Sequence, residues 1–177
     1  MYSCRVKFLV PEKIETKRLS LRQFINEDWR EIHGYFSDIE ATKFTFGRSL
    51  TEGDSWRAMA SMIGHWQLRG YGPYAMEDKE SKKIIGIAGF WYPNDWPELE
   101  IKWALIRQYW GKGYASEAAR AIQETAVKHI PEIPLISFIH SENIASIKLA
   151  LTVNAIFEKE VEFRGGNWYI YRHPSKI

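Results

Sequence analysis

The segment from Glu98 to His140 restricts the fold more than any other part of the chain. In ELEIKWALI, Leu99, Ile101, Trp103 and Leu105 alternate with Glu98, Glu100, Lys102 and Ala104, the period of a strand with two chemically different faces. Gly111 and Gly113 follow. Ala115, Ala118, Ala119, Ile122 and Ala126 then recur at helical spacing until Pro131 ends the run. LISFIH, closing at His140, is a short buried strand. Strand, helix and strand in this order argue for a parallel pair inside a mostly antiparallel mixed sheet. A helix entered through two glycines also leaves backbone N–H groups pointing outward, a natural seat for an anion such as a diphosphate.

The rest of the chain supplies the remaining elements. KRLSLRQF alternates as a strand, and Asn26 is placed to cap a helix through EDWREIHGYF. A second helix is expected from Glu52 to Leu68, with Trp56, Met59, Ala60 and Ile63 on its apolar face and Gly70 as its stop. Residues 71–92 read as strand, polar turn near Asp78 to Ser81, and strand. ENIASIKLALTVN is a helix, and AIFEKEVEF and WYIYRH form a hairpin around Gly165 and Gly166. The total is seven strands in one α/β (α+β) domain over residues 1–177, a length that suits a single core.

Composition narrows the function. Lys and Arg number 24 against 22 acidic residues, which gives no reason to expect a nucleic-acid partner. The single cysteine, Cys4, cannot form an internal disulfide and suits a reducing compartment. MYSCRVKFLV makes a poor signal peptide, no apolar run reaches membrane-spanning length, and the cytoplasm is the expected location. The scattered His and carboxylates show no metal-ligand spacing. The glycine turn lacks the Gly-Lys-Ser/Thr of a Walker loop and the third glycine of the dinucleotide fingerprint.

Two motifs sharpen the reading. Gln108-Tyr109-Trp110-Gly111-Lys112-Gly113 matches the Gln/Arg-x-x-Gly-x-Gly/Ala signature of the GNAT acetyltransferases, and it lies between a strand and a helix as that family requires. Asn143-Ile144-Ala145-Ser146 resembles the Asn-x-x-Ser that opens the family's next helix. The element order resembles the family over nearly the whole chain. TKRLSLRQF and the segment from Gly64 to Phe90 look like the branch of ribosomal-protein N-terminal acetyltransferases. The resemblance implies the acyl-CoA N-acyltransferase fold, with helices on both faces of the sheet. It also implies acetyl-CoA as cosubstrate, and a primary amine, either a protein N-terminus or a small molecule, as acceptor. The family's Lys-Leu-Gly at the end of the second helix is Thr152-Val153-Asn154 here, and Asn tolerates the left-handed conformation that position needs.

The resemblance also suggests roles. Glu100 matches a strand carboxylate that acts as base, with Glu98 as its rival on the same strand face. Backbone N–H groups of Leu105 and Ile106 would face the thioester carbonyl where this strand parts from its parallel neighbour. Gln108, Gly111, Lys112, Gly113, Tyr114 and Ala115 would form the cosubstrate-binding stretch, with the diphosphate at the glycine turn and Lys112 adding charge near it or staying solvated. Tyr114 would serve packing more than chemistry, and Asn143 would contact the pantetheine arm. Asn143 reads locally as an N-cap. Many relatives place a Tyr near the leaving sulfur, but the matching position is Ala150, so Ser146 becomes the candidate there. His65, Trp66, Tyr71, Tyr74 and Trp91 border the acceptor site in relatives, although core packing explains each one separately. His33, His129, His140 and His173 receive no role. An acidic groove would favour a peptide acceptor, and a closed aromatic pocket a small molecule. A module that binds acetyl-CoA without transfer is the non-enzymatic alternative.

Overall fold

A computed structural model describes residues 7–175, so Cys4 and most of the leading MYSCRVKFLV segment lie outside the described residues. The chain order is β1 (Lys13–Glu15), β2 (Leu19–Arg22), α1 (Trp29–Phe36), the short α2 (Ile39–Thr42), α3 (Glu52–Arg69), β3 (Pro73–Asp78), β4 (Ile84–Trp91) and β5 (Leu99–Leu105). Then come α4 (Tyr114–His129), β6 (Leu135–His140), α5 (Ile144–Thr152), β7 (Ile156–Phe163) and β8 (Gly166–Arg172). The eight strands form one sheet in the order β1-β2-β3-β4-β5-β6-β8-β7. The additional strand is β1, a three-residue edge paired to β2 and too short to show a period.

Every neighbouring pair is antiparallel except β5 and β6, joined in parallel through the α4 crossover. That parallel pairing holds for two residue pairs only, Leu99↔Leu135 and Glu100↔Ile136. Beyond them β5 runs on to Leu105 and β6 to His140 with no register between them, so the sheet splits.

Alternation along the strands sends apolar residues to both faces. On one face Ala118, Ile122 and Ala126 of α4 pack on Leu19, Leu21, Met76, Ile85, Leu99 and Ile101. On the other, Ile32 and Phe36 of α1 and Met59 and Met62 of α3 pack on Ala75, Ile87 and Ala104. The wing beyond the split is tied to α4 by a buried chain. Gln123 Nε2 donates to His173 Nδ1 (2.9 Å) and to Val153 O (2.9 Å), and His173 Nε2 lies 2.8 Å from Ser137 Oγ on β6. With Nδ1 accepting, the proton sits on Nε2. Burial and the neighbouring Arg172 charge push the His173 imidazole down to about 4, so it stays neutral.

Two local expectations are corrected. Asn26 does not cap α1; it opens a short 3-10 turn, and Asp28 accepts the Ile25 N–H (2.9 Å) and both terminal nitrogens of Arg22 (2.8 and 3.0 Å). The inward face of α3 is Ser55, Met59, Met62, His65 and Trp66, rotated from the one expected. Trp56 is 46% exposed and donates to Asn26 Oδ1. Ser55 takes the inward place because its hydroxyl is satisfied by Thr51 O (2.9 Å) and His33 Nδ1 (2.8 Å). Gly70 ends α3 in the left-handed region as expected, and Asn154 does the same after α5 at φ +62°.

Candidate active site

The split between β5 and β6 opens into a cavity of roughly 300 Å³. It crosses the sheet. On the α3 side it is bounded by Met62, Trp91, Glu100 and Lys102, and on the α5 side by Trp103, Asn143 and Ser146. Strand geometry explains this. Glu100 and Lys102 share one face of β5, Trp103 points to the other, and without a hydrogen-bonded neighbour the strand edge is open to both.

The edge carries free donors. Ile106 N–H donates to Ile85 O on β4 (2.9 Å), and Leu105 stands opposite Gly86. Successive N–H groups of a strand alternate sides. The N–H groups of Leu105 and Trp103 therefore face the gap. This corrects the expectation for Ile106, whose N–H is spent inside the sheet, and adds Trp103. The direction was unreadable from sequence because it depends on register with β4.

Past β5, Arg107 to Tyr109 form a 3-10 turn, and Gly111 (φ +71°) and Gly113 (φ +78°) take left-handed backbone into α4. No atom would meet a Cβ at Gly111 within 4 Å, so the loop is open on that side. Gly113 brings no side chain to cap α4, and its first-turn N–H groups face outward. Arg18 fixes the loop: Nη1 donates to Lys112 O (2.8 Å), Nε binds Glu117 (2.7 Å), and the guanidinium lies 4.3 Å from the centre of the Tyr114 ring. Tyr109 and Tyr114 pack on the core, while Trp110 is half-exposed and donates to Leu105 O (2.9 Å). Gln108, Lys112 and Ala115 lie on this loop and first turn. Outward N–H groups, a glycine without side-chain neighbours and an open strand edge fit a long ligand with an anionic head and an amide-bearing arm.

Asn143 caps α5 as expected, its Oδ1 accepting the Ser146 N–H (3.2 Å). Ser146 Oγ accepts the Trp103 indole N–H (3.2 Å), which leaves its own proton to donate.

The two strand glutamates part company. Glu98 is held by Arg172 through two bonds of 2.5 and 2.8 Å, and Arg172 is held in turn by Glu158. Glu100 lines the cavity and accepts from Trp96 Nε1 (2.5 Å). Burial raises its carboxyl to about 7, against the smaller opposing effects of Lys102 and the indole bond. Lys102 is pushed below the usual lysine range by the same burial, with the Glu100 charge opposing.

Of the aromatic and polar groups expected at the acceptor side, only Trp91 lines the cavity. Trp66 and Tyr74 are core residues that donate to Pro73 O (2.9 Å) and Pro11 O (2.6 Å), and Tyr71 is buried beside them. His65 bridges Tyr71 O (2.8 Å) and the Tyr92 N–H (2.9 Å), which fixes its proton on Nδ1. The walls are instead built by Phe44, Trp96, Phe138 and Trp168, with His140 between Phe44 and Trp168. Trp96 belongs to the turn between β4 and β5, which carries no periodicity that would mark it as a wall. His140 and Lys102 were also missed as cavity residues.

The model of the acetyltransferase (GNAT) domain matches residues 18–155. The chain belongs to the GNAT acetyltransferases. It is similar to the uncharacterized N-acetyltransferase p20 of Bacillus licheniformis, 32% identical over 84% of each chain. It is 30% identical to YnaD of Bacillus subtilis over 88% of this chain and 91% of that one. The fold resembles that of an acetyltransferase from Agrobacterium tumefaciens, with a TM-score of 0.82 at 22% identity over 96% of this chain and 98% of that one. It also resembles RimL, a ribosomal L7/L12 alpha-N-protein acetyltransferase in complex with coenzyme A, with a TM-score of 0.74 at 17% identity over 92% and 97%. Among the described residues no helix is long and apolar enough to cross a membrane, and no His, Cys, Asp and Glu side chains group to hold a metal ion.

Proposed function

We propose that the chain transfers acetyl from acetyl-CoA to a small primary amine, with Glu100 as the base. The observation that carries this is one cavity that joins a carboxyl raised to about 7 to the open edge of β5, through the sheet. Acetyl-CoA supplies the acetyl group activated as a thioester. The α4 first turn with Gly111, Lys112 and Gly113 binds its diphosphate, and Asn143 and the β5 edge hold its arm. Glu100 takes a proton from the acceptor ammonium, so that a neutral nitrogen attacks. An α-amine of pKa ~7.7–8.0 is matched to such a base far better than a lysine amine near ~10.4. The Leu105 N–H donates to the oxygen that gains charge, and Ser146 Oγ–H stands ready for the departing sulfur. The aromatic walls and modest volume favour a small molecule over a peptide N-terminus.

The test is a calorimetric titration with acetyl-CoA, with ATP as control, followed by thiol release with amines and N-terminal peptides. Selective binding of acetyl-CoA is expected. Glu100→Gln is expected to lose roughly 10²–10⁴-fold in turnover, and Glu98→Gln to stay within a few-fold. Full turnover by Glu100→Gln across the pH range would remove Glu100 from the mechanism. Acetyl-CoA binding without transfer to any amine would make the chain a binding module.

A further inference from the structure

Lys102 is the cavity cation that no mechanism step above uses. Two other residues of the lining can carry positive charge, and both are engaged. Arg164 pairs with Asp95 (2.6 Å) and lies over the rings of Trp96 (5.2 Å) and Phe163 (4.9 Å). His140 accepts the Glu142 N–H at Nδ1 (3.2 Å). Lys102 has no carboxylate within ion-pair distance and no hydrogen bond among the described residues; its ammonium lies 5.6 Å from the centre of the Trp91 ring. The Glu100 charge two residues away offsets part of the burial cost but makes no ion pair with Lys102, and a ligand carboxylate would supply one.

Position says which ligand. Glu100 and Lys102 are alternate residues on one face of β5, with Cα atoms about 6.8 Å apart. Trp91 lies directly across from Glu100 and Gly89 across from Lys102, which leaves Trp91 as the cross-strand side chain beside both. A negative and a positive side chain, side by side, complement a small zwitterion. An α-amino acid carries its amine and carboxylate on a single carbon. Around them, Trp96, Phe138 and Trp168 offer apolar walls to a side chain. A cavity of roughly 300 Å³ suits a ligand of that size.

We infer that the acceptor is a free α-amino acid with an apolar or aromatic side chain, its amine at Glu100 and its carboxylate bound by Lys102. The inference rests on reading this cavity as the acceptor site. In the transfer the N–C bond to the acetyl carbon forms and the C–S bond breaks. Of the two protons the ammonium loses, Glu100 takes the first before attack and the second goes to the departing thiolate, giving the free thiol of CoA, and the carboxylate is unchanged. A peptide N-terminus has an amide where the carboxylate would be and leaves Lys102 without a partner.

The experiment pairs amino acids with their decarboxylated amines: phenylalanine with phenethylamine, tryptophan with tryptamine, leucine with isopentylamine. Binding to the protein saturated with CoA is followed by tryptophan fluorescence, and transfer from acetyl-CoA by thiol release. At least one amino acid is expected to bind about tenfold or more tighter than its amine, the scale of a lost charge-assisted bond. Lys102→Met is expected to erase most of that preference, and Lys102→Arg to keep part of it. Equal or weaker binding of the acid in all three pairs overturns the inference with no variant needed. So does a preference that survives Lys102→Met. Transfer to amines without preference leaves the acetyltransferase reading standing and sinks this one. A carboxylate preference without transfer overturns both, because an acceptor has to be acetylated.

Discussion

Replacing Glu100 by Gln should stop the chemistry and stabilise the fold, and the second effect is set by pH. Burial raises the carboxyl from its ordinary 4.5 to about 7. Below pH 4.5 the folded and unfolded chains both hold this proton, and the site costs nothing. Between 4.5 and 7 the unfolded chain gives it up first, so stability falls as pH rises, and above 7 the loss is complete. A shift from 4.5 to about 7 corresponds to about 3 kcal/mol at pH 8 and about 1 kcal/mol at pH 5. Gln keeps an oxygen to accept from Trp96 Nε1 and carries no charge to desolvate. The variant should therefore gain about 2 kcal/mol more at pH 8 than at pH 5. For a chain of this length that is a difference of about 4–8 °C in melting temperature. Melting curves of both proteins at the two pH values read it directly. An equal shift at both pH values, or a variant less stable at pH 8, would refute the picture of a buried, reluctantly charged carboxylate. Turnover of the unmodified protein should rise through pH 7 as the base form fills.

Two further outcomes follow from backbone geometry. Gly111→Ala forces an L residue to φ +71° at a cost of about 1–2 kcal/mol but meets no protein atom, so its main effect should be an acetyl-CoA KM raised about tenfold. Lost stability with unchanged KM would mean the loop does not touch the cosubstrate. At Asn154, φ +62°, Gly should change stability by less than about 0.5 kcal/mol and Val should lose about 1–2 kcal/mol in denaturant titration. Equal effects would argue against a conformational role for that position.

What could be read in advance was local. The Gly111/Gly113 turn, the Asn143 cap and the left-handed Asn154 are each decided within a few residues, and each sits where its chemistry requires. What could not be read was relational. Ser55 replaces Trp56 on the inner face of α3 because His33, 22 residues away, completes its hydrogen bonds. Glu98 and Glu100 share a strand face, and what distinguishes them is Arg172 on β8 at the first and Trp96 and the cavity at the second. Ile106 loses its N–H to β4 for reasons of register. The cavity walls come from Phe44, Trp96 and Trp168, three segments that no periodicity links.

A sheet normally behaves as one plate, but here five strands and three strands meet along a crack closed by two residue pairs. Mechanical continuity across it depends on α4, on the Gln123–His173–Ser137 chain and on the Glu98–Arg172 and Asp95–Arg164 pairs, which work as clasps rather than a seam. A cosubstrate seated in the crack, as proposed, would become part of the wall. Loading the protein would then stiffen the two wings against each other, and the rigidity of the scaffold would be completed by the molecule it consumes.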